Sequence, residues 1–177
     1  MLLRNLTPLL LAASAAALLP RDATSINARL TTLQNDLTTL QSILRTFQGG
    51  PTSLVQALQI QTQATQLVTD TQSATSTTSS SSPLDDAGSR SVAFKIISLS
   101  KQIFAVLDLL VSKKGEFEKT LPGATGLVQS DLVMLRNGTD GLAGALTPKF
   151  VGGVRMLAPL LVADIDFHFV RAINVYS

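Results

Sequence analysis

The residues able to do chemistry in this chain are few and far apart. His168 is the only histidine, and Asp164 stands four residues before it, on the same face of any helix through that segment. A carboxylate–imidazole contact is the natural use of that spacing. A metal would need a third and fourth ligand, and the sequence offers none beside them. Asp166 points to another side. Serines are abundant, yet no Gly-x-Ser-x-Gly turn presents one as a nucleophile, and the lone histidine would have to be its base. The acidic pairs Asp85-Asp86 and Glu116/Glu118 fall where helices should start, where negative charge complements the helix dipole. Gly152-Gly153 is a glycine pair between helical signals, not a phosphate-binding loop. With no cysteine in the chain, thiol catalysis, disulfide exchange and cysteine-ligated metals are excluded together. The expectation is a protein without catalytic residues, metal or cofactor, hence not an enzyme. Asp108 is the odd charge, set within the apolar run Ile103–Val111. It should face solvent or pair with a Lys or Arg, because a buried lone carboxylate is costly. Its sharper use would be a polar fixture at the mouth of an apolar cavity.

The elements that must position these residues read as helices. Ser91–Lys114 contains neither Gly nor Pro and is apolar on nearly every side in its second half. A helix of that length is about 36 Å long, and one apolar all round must be surrounded. Lys101 and Asp108 interrupt it, so it lacks the uninterrupted stretch of about 18 apolar residues of a membrane span. It is expected to be the central helix of a bundle. Before it, Ile26, Leu30, Leu33, Leu37, Leu40, Leu44 and Phe47 alternate spacings of three and four, predicting a helix over 24–47 that Gly49-Gly50-Pro51 stops. A second helix is predicted over 52–69, with Ser53 and Gln56 as a capping box. The tract 71–83, TQSATSTTSSSSP, is too polar to bury surface and predicts a loop, O-glycosylated in a secreted chain. The third helix should start near Ser82-Pro83 and end at Lys113-Lys114-Gly115. A short turn over 116–121 and a helix over 124–136 follow, the latter ended by Asn137-Gly138. A short helix over 139–146 and a last helix from Thr147-Pro148 to the C-terminus, kinked at Pro159, complete the series. The fold class is all-α: a single-domain bundle of about five helices around a central apolar helix.

Composition sets the compartment. The chain of 177 residues is 45% hydrophobic and only 15% charged, enough for one substantial core. Residues 1–21 read as a secretory signal peptide with a short pro-segment. One early charge, Arg4, precedes an apolar run, and small residues place cleavage between Ala15 and Ala17. Losing Arg4 and Arg21 would leave twelve basic against twelve acidic residues, so the pI of about 9.2 is partly a leader effect and no basic patch argues for nucleic acid. The mature domain, residues 22–177, would have no transmembrane segment and no GPI signal. It is expected outside the cell or in the cell wall. Asn137-Gly138-Thr139 is an N-glycosylation sequon, with Asn137 as the acceptor.

The order of these features resembles a known family. A stripe-bearing first helix, a central helix ending LLVSKKGEFEKT, a helix like GLVQSDLVMLR, a final helix closing FHFVRAINVYS, and the absence of Cys and Trp are together similar to the fungal hydrophobic surface-binding protein A family, related to cell-wall galactomannoproteins. The resemblance implies a secreted, non-enzymatic bundle whose partners are hydrophobic surfaces or fatty-acid-like lipids, with cell-wall polysaccharide as a further partner class. A glycosylated structural wall mannoprotein or antigen without a specific ligand is the alternative. An apolar bundle poor in aromatic residues can leave an aliphatic cavity. Its candidate lining is Ile103, Phe104, Leu107, Leu132, Leu135, Leu161, Ile165 and Phe169.

Overall fold

The computed structural model describes residues 19–177, with side chains from Asp22 onward. The expected leader lies, up to Leu18, outside the described residues. Among the described residues there are six α-helices, two short 3-10 turns and no strand. They are α1 (Leu19–Thr46), α2 (Leu54–Ser80), α3 (Asp86–Ser112), α4 (Lys114–Thr120), α5 (Ala124–Leu146) and α6 (Gly152–Tyr176).

α1 is the spine of the core. Its stripe from Ile26 to Leu44, with Phe47 just beyond the helix, is buried at every position. The opposite face stays wet, and its threonines donate to carbonyls four residues back, as Thr31 does to Asn27. α2 packs along one side of α1 and α3 along the other, α5 follows α2, and α6 closes the ring between α5 and α3. α4 caps one end, where Phe117 meets Phe47 at 4.7 Å and Tyr176 at 6.3 Å between ring centroids. Tyr176 Oη donates to the Leu110 carbonyl at 2.6 Å, tying the C-terminus to α3.

The chain leaves α1 through Gly49 and Gly50, both at positive φ. At Gly49 a Cβ would stand 2.5 Å from the Glu116 carbonyl oxygen, so only glycine lets this turn pass against α4. Lys113 Nζ donates to the Phe47 carbonyl at 2.5 Å, placing a cation at the negative end of α1.

Several expected boundaries move. The Ser/Thr tract is not a loop over 71–83: α2 runs unbroken to Ser80. The stripe simply continues in smaller residues, with Ile60, Ala64, Leu67, Thr71, Ala74 and Thr78 all buried. Thr71 Oγ1 donates to the Leu67 carbonyl and Thr75 Oγ1 to that of Thr71, so a hydroxyl can satisfy itself within the helix and still occupy the stripe. Asn137-Gly138 does not end a helix either; α5 continues through it to Leu146 and absorbs the predicted short helix. Gly138 lies against α2, where an added Cβ would come within 3.3 Å of Thr71 Cγ2, so the glycine serves close packing. The Ser53–Gln56 capping box is absent: Ser53 Oγ donates to the Gly49 carbonyl, and Gln56 reaches Thr46. α3 starts at Asp86, because Asp85 caps it by accepting from the Gly88 amide at 2.7 Å. Gly115 falls inside α4 and does not stop α3. The apolar α3 takes a place in the ring between α1 and α6, and its extra apolar side faces a cavity instead of another helix.

Candidate functional site

Hydrophobic residues on one face of a helix close a core; a second apolar face must meet something else. On α3, Val92, Leu99, Val106, Leu107 and Leu110 are buried, whereas Phe94 and Ile97 on the other side are exposed. The first half of α6, residues 152–164, has no buried residue, although it carries Val154, Met156, Leu157, Leu160 and Leu161. Between these two helices and α5 lies a cavity of about 680 Å3, with Leu30 of α1 at its back. Small residues hold it open, since Ala93, Ala143 and Ala158 face inward where larger side chains would meet.

The walls are almost wholly apolar. Three hydroxyls line them, and each is already spent on its own helix: Ser100 on the Ile97 carbonyl, Thr139 on Leu135, Thr147 on Ala143. The interior therefore presents no free directional polar group and selects by shape and apolarity. The two charged lining residues, Arg90 and Asp164, are exposed. Arg90 pairs with Asp86 at 2.8 Å. Below the cavity a narrow void of about 60 Å3 continues the apolar interior, sharing Leu99, Ile103, Thr139 and Leu142 with it.

Of the residues singled out from sequence, Ile103, Leu161 and Ile165 line the main cavity. Leu107, Leu132, Leu135 and Phe169 line the narrow void, together with Ile103. Phe104 lines neither; its ring stacks on His168 at 4.0 Å between centroids and 17° between planes. Sequence reasoning missed Phe94, Ile97, Leu142, Leu146, Phe150 and Leu157. For Phe94, Ile97 and Leu157 the signal is apolar residues left over once each helix has supplied one core stripe; Leu142, Leu146 and Phe150 are ordinary core residues that nothing in the sequence sets apart as cavity wall.

The candidates for polar chemistry are dispersed. His168 is half-buried, with Nδ1 unpartnered, and its ring is held by Phe104 instead of the expected Asp164 contact. Asp108 is exposed, paired with Arg171 of α6, and is not part of the cavity lining. Arg136 grips Asp166 through two hydrogen bonds, at 2.5 and 3.2 Å, fixing α5 to α6. The Arg136 guanidinium is raised by that contact. Asp140 nearby is raised by burial and by the charge of Asp166, against the pull of Arg136. Asp131 is raised by burial, partly offset by the hydrogen bond from Gln61. Asp36 is pushed up to about 6 by burial and by the neighbouring Asp70 carboxylate, with Gln63 opposing. Burial raises the Tyr176 phenol, and the charges of Glu116 and Glu118 add to it. Among the described residues no three His, Cys, Asp or Glu side chains gather as a metal would require.

Fold and cavity together define a class: a cysteine-free helical bundle that leaves an apolar cleft between its helices. No curated protein matches the chain in sequence. The family model for hydrophobic surface binding protein A matches residues 23–148, and the chain belongs to that family. Among solved structures it is similar to Afmp4p in complex with palmitic acid, at 34% identity and a TM-score of 0.82, over 88% of this chain and 99% of the other. Ligand-binding domain 1 of the Penicillium marneffei MP1 protein, complexed with arachidonic acids, shares the fold at 16% identity and a TM-score of 0.81, over 88% and 99%. Ligand-binding domain 2 of the same protein, complexed with multiple arachidonic acids, does so at 15% and 0.79, over 87% and 95%.

Proposed function

We propose that this protein is a non-enzymatic binder of fatty-acid-like lipids, holding the acyl chain in the cavity between α3, α5 and α6. The observation that carries this reading is the cavity's combination of size and chemistry. At roughly 30 Å3 per small group, the share of one water in the liquid, 680 Å3 corresponds to about twenty methylene-sized groups. That suits a single long acyl chain. The chain's walls offer no polar anchor inside, so the carboxylate lies at the edge, where Arg90 is the one cation of the lining. The ligands bound in the related structures, palmitic and arachidonic acid, are of the same class. Ile103, Leu161 and Ile165 contact the chain directly, and Leu107, Leu132, Leu135 and Phe169 receive its end if it extends into the narrow void. Phe104 acts at one remove, by packing His168.

The protein works outside the cell or in the cell wall, and Asn137, exposed on α5, carries an N-glycan there. The alternative role, a wall protein that displays O-glycans from the Ser/Thr tract, is weakened by the burial of Thr71, Thr78 and Ser81. Among the described residues no arrangement of catalytic groups favours an enzyme, and any hydrolase activity should be insensitive to His168→Ala.

Native mass spectrometry of the secreted protein, followed by organic extraction, tests the binding reading. A stoichiometric acyl lipid, or uptake of added palmitate at one per chain, is expected. A protein that emerges empty and takes up no fatty acid refutes it.

A further inference from the structure

The mouth of the cavity exposes more apolar surface than a monomer in water has reason to keep. Phe94 and Ile97 of α3 and Leu157 and Leu160 of α6 all line the cavity, yet they are 70%, 43%, 64% and 69% exposed. Met156 stands next to Leu157, outside the lining, at 80%. The apolar surface thus runs without a break from the cavity wall to the outside of the molecule. Contiguous exposed patches of this kind mark sites of contact with another apolar phase.

We propose that this rim is a bilayer-docking surface through which the protein loads and releases acyl lipids by direct contact with a membrane. The inference rests on the fatty-acid reading of the cavity and adds the route of entry. Membranes are a reservoir of acyl chains, and a patch continuous with an acyl-chain cavity gives the chain an apolar path between the two. A route through water would expose every methylene, so release would slow steeply with chain length. The polar surroundings fit shallow insertion. Lys95 and Arg155, the sequence neighbours of Phe94 and Met156, are long basic side chains of the kind that can reach headgroup phosphates while neighbouring apolar residues insert, and Asp164 is the one carboxylate of the cavity lining. Arg90 and Asp86 neutralise each other. The rim is near balance in charge, so docking is driven by the apolar side chains and does not require anionic lipid. No helix among the described residues is long and apolar enough to cross a membrane, so the contact is peripheral.

The test uses the whole mature protein, phosphatidylcholine vesicles and a fluorescent long-chain fatty acid. In stopped flow, transfer from protein to vesicles should accelerate in proportion to vesicle concentration. Met156→Asp removes rim apolarity without touching the cavity wall. It should slow transfer at least tenfold while leaving the affinity for the same fatty acid in vesicle-free buffer within threefold. Ligand-free wild type should float with the vesicles and the variant should not. A transfer rate independent of vesicle concentration overturns the proposal. So does a wild-type dimer that Met156→Asp dissolves and that ignores vesicles, since the patch would then belong to a second copy. Failure to bind the fatty acid in buffer overturns the cavity reading separately, before any vesicle is added, and the loading route with it.

Discussion

Ala158→Phe puts the cavity to the sharpest test. Ala158 lies on the inner side of α6 and lines the cavity opposite α3. Phe adds a six-membered ring to the alanine methyl position. At roughly 30 Å3 per group, that removes about 180 Å3, a quarter of the 680 Å3 available. The displaced volume corresponds to about six methylenes of the ligand. Full burial is worth about 0.8 kcal/mol per methylene, which sets an upper bound near 5 kcal/mol. Drug-sized ligands realise only about 0.3 kcal/mol per atom, which sets a lower figure near 2 kcal/mol, roughly thirtyfold in Kd. Stability should move the other way. The ring fills apolar space that is empty without ligand, a gain of up to about 1.5–3 kcal/mol for a buried aromatic. Isothermal titration with palmitate and thermal unfolding of the ligand-free protein read the two effects. Weaker binding with an equal or higher Tm is expected. Unchanged affinity in a folded variant would refute the placement of the acyl chain against α6. A loss of both would mean that the ring had damaged the fold, and Ala143→Leu, on α5, would then have to reproduce the opposed signs.

Gly49→Ala should lower the Tm, because alanine at φ +75° costs about 1–2 kcal/mol and its Cβ would meet the Glu116 carbonyl; a wild-type melting curve would contradict the close approach of α4. Thr78→Val should be neutral or stabilise by about 1 kcal/mol, since Thr78 Oγ1 is buried without a partner; a destabilised variant in urea melts would argue that α2 is not packed there. Asp36 has a folded pKa of about 6, raised from 3.8, so its share of stability is full below pH 3.8 and is lost as the pH climbs through 6. Tm should fall over that window, and Asp36→Asn should flatten the fall. Hydrogen exchange should find amides 156–163 opening faster than 165–174, and added palmitate should slow the first group selectively; equal protection without ligand would contradict a loosely held first half of α6.

The fold was legible where one kind of signal ruled. The stripe from Ile26 to Phe47 depends only on the alternation of three and four, and every member is buried. The Ser/Thr tract misled because composition outvoted periodicity. Thr71, Ala74 and Thr78 keep the spacing of Ile60, Ala64 and Leu67, and a hydroxyl that bonds its own helix can occupy a core position. Asn137-Gly138 looked like a stop for a related reason: a glycine that serves a helix–helix contact is indistinguishable in sequence from one that ends a helix. The cavity was legible only in part. Ile103, Leu161 and Ile165 stand on helix faces turned inward, but Phe94, Leu157 and Leu160 line it while exposed. No ranking of residues by expected burial would select them.

The position of the cavity follows from how unevenly α6 is held. Its second half is fixed by the buried Ile165, Phe169, Ala172 and Tyr176, by the Arg136–Asp166 bridge to α5 and by the Arg171 pair with Asp108 on α3. Its first half has no buried residue, begins at Gly152, which is at positive φ, and includes Pro159, which removes one helical hydrogen bond. Apolar wall in this half can therefore part from α3 and α5 while the opposite end of the bundle stays closed by Phe47, Phe117 and Tyr176. α1 contributes Leu30 and α3 contributes Leu99 and Ile103 as a fixed floor, so admitting an acyl chain need not disturb the core. That division also explains Asp108. A charge in the middle of an apolar helix is tolerated because it sits on the outer side, where its partner Arg171 helps clamp the half of α6 that must not move.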